Sequence, residues 1–266
     1  MKPPLFKRRT LLLATAGLPL LSAHAQVHDM GDAINKAGRQ RMLSQRMGKA
    51  WLALVHGIEK PMAQQVLDKS LALFDRQLVE LKAFAGSADI SATYSKLEAS
   101  WSSYKAALVG NAPSREAAAT MLQLNAGVLA LAHQGTQQFE AAQGKPTGKL
   151  VNIAGRQRML SQRMAMYYLA ARLPVDAPVA MAEINKARGE FVNALAFLRQ
   201  APESNAAIQE QLQLADGQWV FFDAALSRSA ATDAGANRAL GEVFMASENL
   251  LSVMDRVTGL YSALKT

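Results

Sequence analysis

The hydrophobic positions of this chain follow a helical spacing almost throughout. Apolar residues recur every three to four positions, and strand-like alternation is nowhere sustained. Glycine and proline interrupt the pattern at short intervals, for example at Pro61, at Gly86 and over 110–113. The pattern therefore predicts eight helices, near residues 29–58, 61–85, 90–109, 114–142, 149–172, 177–200, 204–228 and 234–264.

An eleven-residue sequence, AGRQRMLSQRM, occurs twice in the chain, beginning at Ala37 and at Ala154, an offset of 117 residues. Similarity continues outside this motif, since Phe74 matches Phe191 at the same offset and Leu129 matches Leu251 at an offset of 122. Such self-similarity indicates a tandem duplication. Because the predicted connections are short, each half is expected to form an antiparallel four-helix bundle, which makes the fold all-α.

The duplication and the breaks in the pattern suggest where the domains begin and end. Residues 1–25 are predicted to be an export signal, and residues 26–143 the first bundle. Residues 144–148 contain two glycines and a proline, and they are expected to be a linker. Residues 149–266 then form the second bundle.

The first 25 residues have the pattern of an export signal. Three basic residues at 7–9 precede an uncharged stretch over 10–21, and small residues suited to signal peptidase end at Ala25. Cleavage there would leave a periplasmic protein. The apolar run is shorter than the roughly 20 residues needed to cross a bilayer, and no later segment is long enough. Arg8-Arg9 also resembles a twin-arginine signal, so the export route stays open.

The positive charge of the chain belongs largely to this leader. Its removal takes away Lys2, Lys7, Arg8 and Arg9 but no acidic residue, which lowers the formal net charge from +8 to +4. No basic run or basic-aromatic cluster remains elsewhere, so nucleic-acid binding is not expected. The absence of cysteine excludes a disulfide framework and a lipid attachment site.

On a helix, the repeated motif has a broad apolar face and a narrower seam of mostly small residues. The seam contains Ile34, Ala37, Arg41, Ser44 and Gly48 in the first copy, and Val151, Ala154, Arg158, Ser161 and Ala165 in the second. Small residues let another helix approach closely. The two motif helices are therefore expected to pack on each other about a pseudo-twofold axis, with Arg41 beside Arg158.

The two arginines are the candidate binding residues. Neither seam contains an acid, so their guanidinium groups would repel each other and be costly to desolvate. A planar oxyanion such as nitrate, nitrite, bicarbonate or a small carboxylate would relieve both problems. Gly38 and Gly155, one turn earlier, would let such a ligand approach the backbone. The alternative is a structural ion pair with a carboxylate from a neighbouring helix, and the residues alone do not choose between them.

Further polar positions of the motif are expected to support this site: Asn35, Ser44, Arg46, Asn152, Ser161 and Arg163. The asparagines would form hydrogen bonds at the interface or lie at the surface, and the sequence does not separate these. Arg46 and Arg163 share a different face with Arg39 and Arg156. For these four arginines, salt bridges between helices or a solvated face are favoured over ligand binding.

The motif carries a resemblance to known families. N-x-A-G-x-x-R-M-x-S-x-R-M resembles the signature of the periplasmic sensor domain of NarX-type nitrate/nitrite sensor kinases. The full AGRQRMLSQRM resembles the N-terminal ligand-binding domain of PilJ-type pilus chemotaxis transducers. The resemblance implies a four-helix bundle that dimerises through its first helix and holds nitrate between two copies of one arginine. That arginine corresponds to Arg41 and Arg158, and the glycine that contacts the ligand to Gly38 and Gly155.

Together these features predict a periplasmic sensory protein that binds nitrate or nitrite between its paired arginines and reports to a separate membrane sensor kinase or chemoreceptor. The chain departs from the resembled proteins in carrying two such domains and no transmembrane or output segment. The alternative is a ligand-free helical module that docks on a chemoreceptor or pilus-associated component. No enzymatic motif, cofactor site or metal site is expected, because His28, His56 and His133 are scattered and no cysteine nucleophile is present.

Overall fold

The computed structural model describes residues 26–228 and 233–264, so the predicted export signal at 1–25 lies outside the described residues. Eight α-helices account for most of this part of the chain, and it contains no strand. The helices are α1 (Met30–His56), α2 (Lys60–Phe84), α3 (Ala88–Val109), α4 (Ala118–Gln143), α5 (Pro146–Ala170), α6 (Ala177–Gln200), α7 (Ala206–Leu226) and α8 (Asp233–Ser262). The predicted all-α fold class is confirmed.

Local side-chain chemistry sets several helix ends. Four helices begin at a residue whose side chain accepts a hydrogen bond from a backbone N–H three residues later: Asp29, Ser87, Asp176 and Asn205. Gly57 and Gly144 follow α1 and α4 in the left-handed conformation, which glycine adopts without a steric penalty. These caps explain why most helices begin and end close to the predicted positions.

Two helix starts differ from the sequence prediction by more than two residues. Helix α4 begins at Ala118 rather than near residue 114, because Ser114 accepts a hydrogen bond from the N–H of Ala117 and holds a turn there. Helix α5 begins at Pro146, inside the stretch predicted as a linker. Proline suits the first turn of a helix because it has no N–H to leave unpaired.

Each half forms a four-helix bundle around a buried apolar core. In the first half, α1 packs on α2 and α4, and α3 packs on α4; in the second half, α5 packs on α6 and α8, and α7 on α8. An aromatic stack recurs at the equivalent place in both bundles. Phe74 stacks on Trp101 with ring centroids 4.1 Å apart, and Phe191 stacks on Trp219 at 4.5 Å. The two bundles are therefore built alike internally.

The first helices of the two bundles form the most extensive helix contact in the molecule, that of α1 with α5. Ala37 and Ala154, from the predicted seams, are fully buried there. The backbones approach so closely that a Cβ atom built on Gly38 would lie 3.9 Å from the Cα atom of Gly155. Packing of the two bundles through their first helices, as the seams predicted, is thus confirmed.

This close packing predicts that enlarging a seam residue is destabilising. In Ala154→Leu the added side chain has no space between α1 and α5, so we expect the free energy of unfolding to fall by about 1–3 kcal/mol. The same substitution at Ala72, which is exposed on α2, should change it by less than about 0.5 kcal/mol. Urea denaturation followed by circular dichroism measures both variants. Equal effects would contradict the seam.

Candidate functional site

Arg41 and Arg158 occupy equivalent positions on α1 and α5, and the structure brings their guanidinium groups together. Both side chains are fully buried. A Cβ atom built on Gly38 would lie 3.2 Å from Nη2 of Arg41 and 3.5 Å from Nη2 of Arg158. A Cβ built on Gly155 would lie 3.2 Å from Nη2 of Arg158 and 3.7 Å from Nη2 of Arg41. The motif glycines therefore leave the space in which the two guanidinium groups sit.

Each arginine binds the backbone of the other repeat. Nη2 of Arg41 donates a hydrogen bond to the carbonyl oxygen of Asn152 at 3.2 Å, and Nη2 of Arg158 donates to that of Asn35 at 3.0 Å. The asparagine side chains have other partners: Nδ2 of Asn35 donates to Ser262, and Nδ2 of Asn152 donates to Glu140. The asparagine positions thus meet the arginines through their backbone carbonyls.

Arg158 has a carboxylate partner. Its Nη1 atom lies 2.5 Å from Oδ1 of Asp255 on α8, and Nη2 of Arg39 lies 3.1 Å from the same oxygen. Burial lowers the pKa of Arg158 to about 10, although Asp255 partly offsets this. Burial opposes ionisation of Asp255, but Arg158 and Arg39 outweigh it and lower the pKa of that carboxyl. The structural ion pair weighed as an alternative is therefore present at Arg158.

Arg41 has a different neighbour in the equivalent place. Its Nη1 atom lies 3.2 Å from Nδ1 of His133 on α4, and its Nε atom, like that of Arg158, has no hydrogen-bond partner. No carboxylate in the described part of the chain forms an ion pair with it. Burial, with repulsion from Arg156 and Arg158, lowers its pKa to about 9, although Glu140 partly offsets this, so Arg41 stays protonated at neutral pH. Arg41 thus carries a buried charge without an ion-pair partner.

His133 completes the surroundings of Arg41. Burial, together with Arg41 and Arg156, lowers the pKa of His133 to about 4, so its imidazole is neutral at pH 7 and Nδ1 accepts the hydrogen bond from Arg41. The sequence prediction treated this histidine as isolated and did not single out Asp255. A signal was available, because the 122-residue offset that aligns Leu129 with Leu251 also aligns His133 with Asp255.

The other motif residues support the helices. Oγ of Ser44 donates to the carbonyl of Arg41 at 2.8 Å, and Oγ of Ser161 donates to that of Arg158 at 2.9 Å, so both serines bind their own helix. Four arginines of the motif form salt bridges with acids of other helices, as favoured from the sequence: Arg39 with Asp255, Arg46 with Glu248, Arg156 with Glu190 and Arg163 with Glu183.

Two clefts flank the arginine pair at equivalent places. The first, of about 240 Å³, lies between α4, α5 and α6, and its lining includes His133, Arg156, Lys186, Glu183 and Glu190. The second, of about 510 Å³, lies between α8, α1 and α2, and its lining includes Asp255, Glu248, Arg39, Arg46 and Arg76. Over residues 26–228 and 233–264, no three His, Asp or Glu side chains are grouped to hold a metal ion.

A family model described as the type IV pili methyl-accepting chemotaxis transducer N-terminal domain, PilJ, matches the chain twice, over residues 23–127 and 139–243. The chain belongs to the PilJ family. Neither a curated protein nor a solved structure matches it. Each PilJ match contains one copy of the repeated motif and one arginine of the buried pair.

Membership of the PilJ family relates this chain to the sensory part of a chemoreceptor, which is not an enzymatic domain. The tandem arrangement predicted from the repeat is confirmed by the two matches. None of the helices in the described residues is both long enough and apolar enough to span a membrane. In the two PilJ domains of this chain, Arg41 and Arg158 lie at one interface, but Arg41 contacts His133 whereas Arg158 contacts Asp255.

The neutral histidine beside Arg41 predicts a specific pH dependence of stability. In the folded protein the pKa of His133 is lowered from 6.5 to about 4. The contribution of neutral His133 to the free energy of unfolding is therefore complete above pH 6.5, and it is lost as the pH falls towards 4. Between pH 6.5 and pH 4, we expect the free energy of unfolding to fall less in His133→Asn than in the wild type, because asparagine does not take up a proton. The difference should be about 1 kcal/mol, because the histidine is only half-buried and solvent screens its charge.

Urea denaturation at several pH values between 7 and 4 measures this effect. His28→Asn is a matched control, since His28 is exposed ahead of α1, and its profile should follow that of the wild type. If His133→Asn and the wild type lose stability in parallel, the interaction of His133 with Arg41 does not contribute as described.

Proposed function

We propose that this chain is a periplasmic, non-enzymatic sensory protein that binds a small planar oxyanion, nitrate or nitrite, at Arg41 and Arg158. The predicted leader at 1–25 supports export, and membership of the PilJ family supports a sensory role. The observation that carries the proposal is the fully buried guanidinium group of Arg41, which has no carboxylate partner in the described residues.

The free energy cost of burying this charge favours an anion. A buried ion without a partner is costly, and the cost falls when an opposite charge binds beside it. Arg41 uses Nη1 and Nη2 for a neutral histidine and a backbone carbonyl, while its Nε atom lacks a partner. Guanidinium is a planar fork of donors that matches paired oxygens in one plane. Nitrate and nitrite offer such oxygens.

The charge balance favours a monovalent ligand. Asp255 pairs with Arg158 and also with Arg39, so of the two buried guanidinium groups only that of Arg41 is left without an ion-pair partner. A singly charged anion such as nitrate, nitrite, bicarbonate or acetate completes the balance. A dianion such as sulfate would leave an excess negative charge in the same buried place, which is costly in turn.

The location of the arginine pair suggests how binding would be reported. The pair lies in the contact between the two bundles, where α1 meets α5 and where α8 and α4 pack across onto the other bundle's first helix. A ligand that binds there would bias the packing of one bundle on the other, and such interface shifts are a common form of switch. We propose a separate membrane chemoreceptor or sensor kinase as the partner that reads this change.

A ligand-free module that docks on a chemoreceptor or pilus-associated component is the second candidate. The observation that favours it is the reciprocal pair of hydrogen bonds from Arg41 to Asn152 and from Arg158 to Asn35. These hydrogen bonds join the two repeats without any ligand, and they would give both arginines a structural role. This candidate predicts no response to small anions.

Isothermal titration calorimetry with nitrate, nitrite, bicarbonate and acetate distinguishes the two candidates. We expect heat of binding with nitrate or nitrite in the wild type, and an affinity at least about tenfold weaker in Arg41→Ala, because a buried charged hydrogen-bond donor is lost. Arg41→Lys keeps the charge but not the planar fork, so it should also bind more weakly.

The control for this experiment is Arg238→Ala, which removes an equal charge from an exposed position of α8 and should bind like the wild type. Circular dichroism establishes that each variant is folded. Absence of heat with all four anions, or unchanged affinity in folded Arg41→Ala, would contradict the proposed function and favour the ligand-free module.

A further inference from the structure

Helices α4 and α8 derive from one repeat, but they present residues of different charge to the arginine pair. Helix α8 carries Glu248 and Asp255 towards α1 and α5, where both are ion-paired. At the 122-residue offset, the equivalent residues of α4 are Ala126 and His133. The first repeat therefore lacks both carboxylates that the second repeat presents to the motif arginines.

Carboxylates occupy the α8 side. Asp255 binds Arg158 and Arg39 through the same oxygen, at 2.5 Å and 3.1 Å. Glu248 binds Arg46 and, at 2.6 Å, the fully buried Nζ of Lys49. An anion that reached Arg158 from this side would have to displace a charged group from its ion pairs. Both the repulsion and the loss of those pairs oppose anion binding there.

On the α4 side, the side chain that contacts the buried arginine is neutral. His133 lines the cleft of about 240 Å³ between α4, α5 and α6, and its Nδ1 atom lies 3.2 Å from Nη1 of the buried Arg41. Arg156, Arg163 and Lys186 line the same cleft, together with the acids Glu183 and Glu190. Arg156 is close enough to Arg41 and His133 to affect the ionisation of both. Displacing a neutral imidazole from Arg41 costs less than displacing a carboxylate from Arg158.

We propose that the anion enters by this cleft and binds on the α4 side only, where it displaces His133 from Arg41, bridges Arg41 and the Nη1 atom of Arg156, and is taken up together with a proton on His133. The Nε and Nη2 atoms of Arg156 stay bound to Glu190. This inference rests on the proposed function, and it specifies the side from which the anion reaches the arginine pair. The arginine pair is then a one-sided site, in which Arg158 is held by Asp255 and His133 is the displaceable group.

Proton uptake follows from the charges around the imidazole. Without ligand, Arg41 and Arg156 oppose protonation of His133, and burial adds to their effect. An anion between these arginines cancels their repulsion and provides a partner for imidazolium. The charged groups of the neighbouring elements are Arg41 on α1, Glu140 on α4, Arg156 and Arg163 on α5, and Glu183, Lys186 and Glu190 on α6. The α6 acids already pair with the α5 arginines.

Nitrate titration calorimetry of the whole protein, with two repeat-equivalent variants, tests this inference. Arg156→Ala should weaken nitrate binding by about tenfold or more, whereas Arg39→Ala, at the equivalent position of α1, should change it by less than about twofold. His133→Asp places the carboxylate of the second repeat beside Arg41 and should abolish nitrate binding. Because this variant gives Arg41 an ion pair, its thermal midpoint should not fall, so loss of binding cannot be attributed to unfolding.

The pH dependence provides a second measurement. In the wild type, nitrate affinity should rise as the pH falls from 7 towards 5, by up to about tenfold per pH unit for one linked proton. His133→Asn should lose this dependence. In wild-type spectra, the imidazole signal of His133 should titrate at a higher pH with nitrate than without it.

The outcomes separate this inference from the proposed function. If nitrate binds and Arg41→Ala abolishes binding, but Arg156→Ala and Arg39→Ala weaken it equally and His133→Asp binds normally, the site is a symmetric clamp and the one-sided site is wrong. A pH-independent affinity would also contradict it. If the wild type does not bind nitrate at all, the one-sided nitrate site is wrong, and the proposed function then depends on nitrite.

Discussion

The close packing of α1 against α5 is the constraint on which the rest of this structure depends. Small seam residues such as Ala37 and Ala154 bring the two backbones together, and Gly38 and Gly155 leave room between them for two guanidinium groups. Two like charges in a buried interface require compensation from other helices. The residues that α4 and α8 present to this interface are therefore the residues that decide what the interface can do.

The compensation differs between the two repeats. Asp255 neutralises Arg158, while the equivalent neutral His133 leaves the charge of Arg41 in place. A symmetric dimer of identical domains would carry the same residue at both positions, because one gene segment encodes both. Joining two domains in one chain removes that restriction. The duplication thus permits one arginine to be held structurally while its counterpart keeps an unbalanced charge for a ligand.

Much of the fold was predictable because it depends on neighbours in sequence. Helix periodicity and caps act over a few residues, which is why the predicted helix ends agree with the structure to within about two residues, apart from the starts of α4 and α5. The seams were predictable for the same reason. The surroundings of the arginines were not, since His133 is 92 residues from Arg41 and Asp255 is 97 from Arg158. A single histidine on a helix gives no local signal of its partner.

From the order of amino acids alone follow the all-α class, the duplication, the face by which the first helices meet and the equivalence of Arg41 and Arg158. Whether these arginines have the same surroundings depends on how α4 and α8 lie along α1 and α5, which is set by the packing of many side chains at once. That packing places an acid against one guanidinium and a neutral imidazole against the other. The resulting difference in charge balance is a property of the assembled bundles.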